Sequence, residues 1–181
     1  MKHLFYKNKQ ITLLSDTHGA HRNLDIPPTD ILVHCGDACN DGNLDELIDF
    51  FSWFSELPAV HKIFVPGNHD LIFDLEPEVA KNLVPKNSIV LENSGCLIED
   101  IRFHAVTARP WLHNLPEIPK QAIDFLLTHA PAFSILDNGT GCKMLYDYVK
   151  IVQPDYHIFG HIHETAGGKV NKNGVCFMNG G

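Results

Sequence analysis

The sequence predicts a single α/β domain over residues 1–181. Short apolar, β-branched runs, such as residues 11–14 and 62–65, have the length and composition of buried strands. Between them lie stretches with apolar residues three and four positions apart, which is typical of helices that pack one face on a sheet. A chain of 181 residues is long enough to bury one core, and no repeat or linker divides it.

The strands and helices can be placed in chain order. An edge strand or turn is expected over residues 5–10. Further strands are predicted over residues 11–14, 30–35, 62–65, 88–91, 95–99, 101–106, 123–127, 155–159 and 175–178. A helix should begin at a cap formed by Asn43 or Asp45 and end near residue 57, because its apolar residues form one stripe. A second helix is predicted over 143–152, and residues 71–82 should be helical or irregular.

Composition excludes several classes of protein. The net charge of -8 argues against a large nucleic-acid-binding surface. No apolar run approaches the roughly 18–20 residues that span a bilayer, and the start of the chain lacks a signal-peptide core. The five cysteines are scattered and odd in number, which argues against a disulfide framework. We therefore expect a soluble cytoplasmic protein without membrane contacts, whose oligomeric state the sequence leaves open.

Five predicted strands end in residues that commonly bind metal ions or move protons. In order, these ends carry Asp16 and His18, Asp37, Asn68 with His69 and Asp70, His129, and His161 with His163. Strand ends of an α/β sheet are where ligands gather, and residues two apart on an extended chain point the same way. Mixed nitrogen and oxygen ligands suit manganese, iron, zinc or nickel better than calcium. Their number exceeds one tetrahedral site and suits two ions that share a carboxylate.

Taken together, these motifs resemble the calcineurin-like metallophosphoesterase superfamily, and in particular its small single-domain branch related to class III cyclic-nucleotide phosphodiesterases and metallophosphoesterase-domain proteins. The resemblance covers nearly the whole chain. It is carried by residues 15–18, 30–37, 67–70 with Phe73 and Asp74, 128–131, and 157–164. The family fold that it implies has two facing mixed β-sheets flanked by helices.

The resemblance also implies a role for each matching residue. One divalent ion would be held by Asp16, His18 and His163, and the other by Asn68, His129 and His161, with Asp37 between them. His69 would be the catalytic histidine, and we expect Asp70 to orient its ring. The implied reaction is hydrolysis of a phosphate ester by a hydroxide that bridges the two ions, with manganese as the expected metal and iron, zinc or nickel as alternatives.

Substrate contacts are harder to predict than the metal ligands. His21 and Arg22 are candidates because they lie just after the first metal motif, and Arg109 is a candidate because its loop, residues 109–113, carries a cation, an indole and an imidazole. The expected substrate is a small phosphodiester such as a cyclic nucleotide, a preference that depends on the resemblance. Two alternatives stay open: a catalytically weak scaffold of the same fold that binds a protein partner, and a hydrolase with a single zinc ion.

Overall fold

The computed structural model describes residues 1–181 and contains eleven strands and four α-helices. The strands are β1 Lys2–Tyr6, β2 Lys9–Leu14, β3 Thr29–His34, β4 Ala59–Phe64, β5 Ile89–Val90, β6 Ser94–Ile98, β7 Ile101–Ala105, β8 Phe125–Leu127, β9 Tyr156–Phe159, β10 Lys169–Lys172 and β11 Val175–Asn179. The helices are α1 Leu44–Glu56, α2 Ile72–Leu75, α3 Pro77–Leu83 and α4 Lys143–Val152. Short 3₁₀ turns lie at His21–Asn23 and His163–Thr165.

The strands form two mixed sheets. The first has the order β1-β2-β3-β4-β5, and the second has the order β10-β11-β9-β8-β7-β6. Strands β2, β3 and β4 run parallel, with Leu14 beside His34 and His34 beside Phe64. Strands β8 and β9 are also parallel, with Leu127 beside Ile158. The predicted polar ends of each sheet therefore lie along one edge.

The two sheets face each other across a shared apolar core. Ile11, Val33 and Ile63 of the first sheet pack with Phe103 and Phe125 of the second. Because side chains alternate along a strand, the opposite faces of both sheets are left to be covered by helices. The predicted class of two facing mixed sheets flanked by helices is confirmed.

Helix α1 covers the outer face of the first sheet. Its Asn43 side chain accepts the Glu46 amide, and the Glu46 side chain accepts the Asn43 amide, which forms a capping box. Phe50 and Phe54 pack against Phe64 of β4. The start of this helix is therefore predicted correctly at Asn43. The predicted buried stripe of Leu44, Leu47, Ile48, Phe51 and Phe54 is only partly correct, because Leu44 and Ile48 are exposed whereas Phe50 and Trp53 are buried.

Helix α4 covers the outer face of the second sheet. Leu145 and Tyr148 pack with Leu126, Phe159 and Phe177 in a separate buried cluster. A membrane-spanning helix would need to be longer and more apolar than any in this chain.

Two parts of the fold differ from the sequence-based prediction. Residues 5–10 belong to a hairpin, in which β1 pairs with β2 across a turn at Lys7 and Asn8, both with positive φ. Strand β10 was not predicted. Its exposed and half-exposed residues alternate without a buried position, so the apolar pattern that reveals a strand is missing.

Candidate metal centre

The loops that follow β2, β3, β4 and β9 form one cleft of about 300 Å³. It is lined by His18, Asp37, Asn68, His69, His161, His163 and Glu164. Asp16 and His129 lie next to these residues with their side chains buried. The structure thus brings all seven predicted metal ligands and His69 together, although their binding of metal stays a prediction.

Hydrogen bonds join the loops of the two sheets at this edge. The His161 amide donates to both oxygens of the Asp16 carboxylate, at 2.9 and 3.0 Å. Within the second sheet, the Gly160 amide donates to the His129 carbonyl at 2.8 Å. His129 Nδ1 lies 2.7 Å from the Cys35 carbonyl oxygen. Because a carbonyl only accepts, Nδ1 carries hydrogen there and Nε2 of His129 is the atom left to bind a cation.

Several candidate ligands have an unusual backbone conformation. Asp16, His18, Asp37 and His161 all have positive φ, at 57°, 42°, 56° and 69°. Residues other than glycine rarely adopt this region, and such strain concentrates at functional sites. The four residues are therefore held in conformations that point their side chains into one small volume.

Glycine lets two of these loops approach closely. A Cβ on Gly67 would collide with the backbone nitrogen and side-chain oxygen of Asp37, and would lie 2.9 Å from His129 Nδ1. A Cβ on Gly160 would collide with the side chains of Ser15 and Asp16. These two positions keep the strand ends near enough to share ligands.

Asp16, His18 and His163 form the first group of candidate ligands, with one donor atom from each within 4.8 Å of the others. His163 Nε2 lies 3.2 Å from His18 Nε2 and 3.6 Å from Asp16 Oδ1. His18 Nδ1 lies 3.2 Å from the Cys39 carbonyl oxygen. That carbonyl places the hydrogen on Nδ1, so His18 Nε2 offers its lone pair to the group.

Asp37, His129 and His161 form the second group, again within 4.8 Å. Asp37 Oδ2 lies 3.1 Å from His129 Nε2 and 3.8 Å from His18 Nε2, so one carboxylate oxygen faces both groups. Asn68 lines the same cleft. Asp37 is therefore the residue that two ions could share.

The unpaired polar atoms of the cleft fit metal ions. Asn68 Oδ1 and His129 Nε2 are buried and have no hydrogen-bond partner, an arrangement that costs about 1–3 kcal/mol per group. Burial tends to raise the pKa of Asp37, but its contacts with the His129 side chain and the His69 amide outweigh burial and lower it to about 2. The site thus offers an ionised carboxylate beside free nitrogen and oxygen donors, a set suited to divalent transition metals.

His69 lies at the exposed side of the cleft. Its amide donates to Asp37 Oδ1 at 2.8 Å, so the turn that carries His69 is hydrogen-bonded to the carboxylate that faces both ligand groups. Its Nδ1 lies 2.6 Å from the carbonyl oxygen of Asn40. Nδ1 therefore carries hydrogen, and Nε2 is the ring nitrogen available to the cleft.

The predicted role of Asp70 as the partner of the His69 ring is wrong. The buried Asp70 carboxylate accepts four backbone amides instead, from Asp37 at 2.9 Å, Ala38 at 3.0 Å, Cys39 at 3.0 Å and Gly67 at 2.7 Å. Its position holds the loops after β3 and β4 together, and the Asn40 carbonyl takes the place expected for Asp70 at the imidazole.

Two of the predicted substrate contacts lie away from the cleft. His21 is buried, 5.0 Å from the Trp53 ring centroid, and its Nε2 lies 3.0 Å from Asp49 Oδ2. Burial lowers the pKa of His21, although Asp49 opposes that effect. Arg22 pairs with the same carboxylate at 2.7 Å. Neither residue lines the cleft, so their expected contact with substrate is not supported.

Arg109 also forms ion pairs away from the cleft. Its side chain is 5% exposed, and its guanidinium pairs with Asp74 at 2.9 Å and with Glu92. It therefore links the loop after β7 to α2 and to the segment before β6, and it does not line the cleft.

Three residues of the site were missed. Glu164 lines the cleft. Because it directly follows the predicted ligand His163, its position in the sequence could have indicated that it belongs to the site. Asn40 acts through its backbone carbonyl, which no side-chain pattern reveals. Glu46 binds the loop of Asn40, and the Asn43-x-x-Glu46 spacing of a capping box could have indicated it.

The chain is similar in sequence to several known proteins. A model of the calcineurin-like phosphoesterase family matches residues 9–165. A UPF0046 protein of Caenorhabditis elegans is 32% identical, with 94% of this chain and 68% of that protein covered. Human metallophosphoesterase domain-containing protein 1 is also 32% identical, with 85% of this chain and 60% of that protein covered. The chain thus spans about two thirds of the length of these relatives.

Solved structures share the fold. The phosphopantetheinyl hydrolase of Mycobacterium tuberculosis superposes with a TM-score of 0.68 at 13% identity, over 93% of this chain and 87% of that one. At this identity the likeness shows the fold alone. The family match supports a hydrolase of phosphate esters, and metal dependence is general to the family. With the family model covering most of its length and relatives 32% identical, the chain belongs to the calcineurin-like phosphoesterase family.

Proposed function

We propose that this protein is a dinuclear metal-dependent phosphodiesterase that hydrolyses small phosphodiesters such as cyclic nucleotides. One observation carries the proposal. A single oxygen, Asp37 Oδ2, faces a donor atom of each ligand group, with His18 Nε2 at 3.8 Å and His129 Nε2 at 3.1 Å. A shared carboxylate is the feature that distinguishes a two-ion site from two unrelated sites.

The ligands divide between two divalent ions. One ion would be held by Asp16, His18 and His163, the other by Asn68, His129 and His161, and both by Asp37. When bound, such a pair activates a water molecule near neutral pH and neutralises charge on the phosphoryl oxygens. Manganese is the proposed metal, because the mixed nitrogen and oxygen donors suit it, with iron, zinc or nickel as alternatives.

His69 would protonate the leaving oxygen of the ester. With hydrogen fixed on Nδ1 by the Asn40 carbonyl, a second proton must reside on Nε2, the nitrogen that the cleft can reach. General acid catalysis of this kind contributes about 10²–10⁴-fold to a rate. The effect should be largest for esters whose leaving alkoxide is a strong base.

The charge of the cleft favours diesters over monoesters. None of its lining side chains is a lysine or arginine, and Glu164 adds a negative charge at its rim. A monoester carries nearly two negative charges at neutral pH, whereas a diester carries one. The singly charged substrate is therefore repelled less by Glu164 and needs less neutralisation.

An activity panel tests this proposal. Purified protein, stripped of metal and reloaded with manganese, zinc, iron or nickel, is assayed on phosphodiesters and on the matched monoesters. Elemental analysis should find two ions per chain in wild type and fewer in Asp37→Asn. His69→Ala should keep both ions and lose about 10²-fold or more in turnover on an alkyl diester.

Defined results would contradict the proposal. Hydrolysis by no metal form would favour the scaffold alternative, and one ion per chain at full activity would favour a single-zinc hydrolase. Unchanged turnover of His69→Ala on alkyl diesters would remove His69 from its proposed role. Preference for monoesters would overturn the substrate class while leaving the metal site intact.

The cellular setting is proposed as the cytoplasm. All five cysteines are free thiols, and Cys35, Cys39 and Cys142 are buried, which suits a reducing compartment. The partner proposed for the cleft is a small phosphate ester, since the net charge of -8 disfavours an extended nucleic-acid surface.

A further inference from the structure

The loop between β3 and α1 is gathered around one carboxylate. Glu46 accepts the amide of Asn40 at 3.3 Å through Oε1. Its Oε2 accepts the amides of Asp41 at 3.0 Å, Gly42 at 3.0 Å and Asn43 at 3.4 Å. A capping box requires only the Asn43 contact. The other three contacts fix the path of the loop and go beyond what the helix needs.

The same loop packs directly on the turn that carries His69. The Asn40 carbonyl lies 2.6 Å from His69 Nδ1. A Cβ on Gly42 would lie 2.5 Å from the His69 carbonyl oxygen and 2.8 Å from Leu71 Cγ. Gly42 has a φ of +71°, so its conformation and its close approach both depend on glycine. Through these two contacts, a shift of the loop would also shift His69.

We propose that Glu46 is a positioning residue for His69, acting through the Asn40–Gly42 loop. By holding three successive amides, Glu46 holds the Asn40 carbonyl at hydrogen-bond distance from His69 Nδ1. That carbonyl selects the Nδ1–H tautomer and the ring orientation that leaves Nε2 for the cleft. Glu46 itself lies outside the cleft and touches no candidate metal ligand through its side chain.

Loss of the carboxylate would release the loop without removing any cleft residue. In Glu46→Ala, the amides of residues 40–42 turn to solvent, and the Asn40 carbonyl is no longer fixed. The ring of His69 would then sample both tautomers and more than one orientation. Displacement of a catalytic group by about 1 Å can cost 10²-fold in rate, so we expect a loss between about 10-fold and 10²-fold on alkyl diesters.

The matched control is Asn43→Ala. It removes the hydrogen bond from the Glu46 amide to Asn43 Oδ1, at 3.0 Å, and so weakens the same helix cap. It leaves the Glu46 carboxylate and all four loop amides in place. A purely structural role of Glu46 predicts equal effects of the two variants, whereas positioning predicts an effect on His69 only for Glu46→Ala. Glu46→Gln keeps one acceptor oxygen and should fall between them.

The first readout is spectroscopic and needs no metal. ¹⁵N NMR of the metal-free protein should show His69 as the Nδ1–H tautomer in wild type and Asn43→Ala, with the His69 signals assigned by their loss in His69→Gln. In Glu46→Ala, the His69 signals should shift towards a tautomer mixture. An unchanged Nδ1–H tautomer in folded Glu46→Ala and Glu46→Gln would overturn the proposal.

The second readout rests on the proposed phosphodiesterase activity. Glu46→Ala should lower turnover of 3′,5′-cyclic AMP far more than that of bis(4-nitrophenyl) phosphate, whose leaving group needs little protonation. In a His69→Ala background, Glu46→Ala should change turnover less than about 2-fold, because the group that it positions is gone. Equal losses in both backgrounds would contradict the proposal. Inactivity of wild type would instead refute the proposed function, and the NMR result would still decide the role of Glu46.

Discussion

Replacing Asp70 by asparagine tests whether this residue joins two loops or orients the His69 ring. The carboxylate is 1% exposed and accepts four backbone amides, two on each oxygen. In Asp70→Asn, one oxygen becomes an NH₂ group, which cannot accept. Two buried amides then lose their partner, at about 1–3 kcal/mol each, so we expect a loss of about 2–6 kcal/mol in the free energy of unfolding.

The measurement is urea unfolding of metal-free protein, followed by circular dichroism, with metal content determined separately. Asp49→Asn is the matched control, because it makes the same chemical change to a carboxylate that is 49% exposed. Its exposed pair with Arg22 should contribute less than about 1 kcal/mol, and the asparagine oxygen can still accept from His21 Nε2. Since Asp37 and Asn68 lie in the two loops that Asp70 joins, Asp70→Asn should also bind both ions more weakly.

Two results would refute this reasoning. A free energy of unfolding within about 0.5 kcal/mol of wild type would mean that the four amides do not depend on the carboxylate. Full stability and metal content, combined with a loss confined to alkyl diesters, would restore the ring-orienting role that the sequence suggested. The second pattern would also require a partner for His69 other than Asn40.

Three further predictions follow from single contacts. Gly67→Ala should lose metal affinity, measured by titration of the folded variant with manganese, because its Cβ would collide with both the backbone nitrogen and the carboxylate of Asp37. Glu164→Gln should raise kcat/KM for monoesters relative to diesters by about 2-fold, the effect of removing one screened charge from the cleft rim; an unchanged ratio would exclude Glu164 from substrate choice. Burial lowers the pKa of His157 to about 3, so the folded state binds fewer protons than the unfolded state between about pH 6.5 and pH 3 and loses stability as the pH falls through that window. The loss attributable to His157 between pH 7.5 and pH 5.5 is about 1.4 kcal/mol, and His157→Gln should show a pH dependence of unfolding that is smaller by that amount.

The sequence predicted the fold and the candidate ligands because both leave local signals. Buried parallel strands are continuous apolar runs, and a polar residue directly after such a run lies at the sheet edge by necessity. Asp37, His129 and His161 were found in this way, although they are separated by many residues along the chain. Each residue was identified by its position directly after a predicted strand, and the number of residues between one strand end and the next did not matter.

The failures concern contacts between segments far apart in the chain. His21 and Arg22 stand near a ligand motif in sequence, yet both are directed towards Asp49 on α1. Asp70 adjoins His69, yet its side chain points back to the loop after β3. Adjacency predicted function for these residues, whereas burial and the needs of backbone amides decided where their side chains lie.

The ion pairs of the chain also bear on how the cleft would recognise phosphate. Arg22 is neutralised by Asp49, and Arg109 by Asp74 and Glu92. If Arg109 left these partners, Asp74 and Glu92 would lose the cation that separates their charges, and the guanidinium would have to be solvated again. Arg109 is therefore not available to bind substrate. None of the side chains that line the cleft is a lysine or arginine, so its positive charge would come from the ions that its histidines and Asp37 would hold. Phosphate affinity and catalytic activity should therefore rise together as metal binds, with no separate cationic subsite to retain the ester in the metal-free protein.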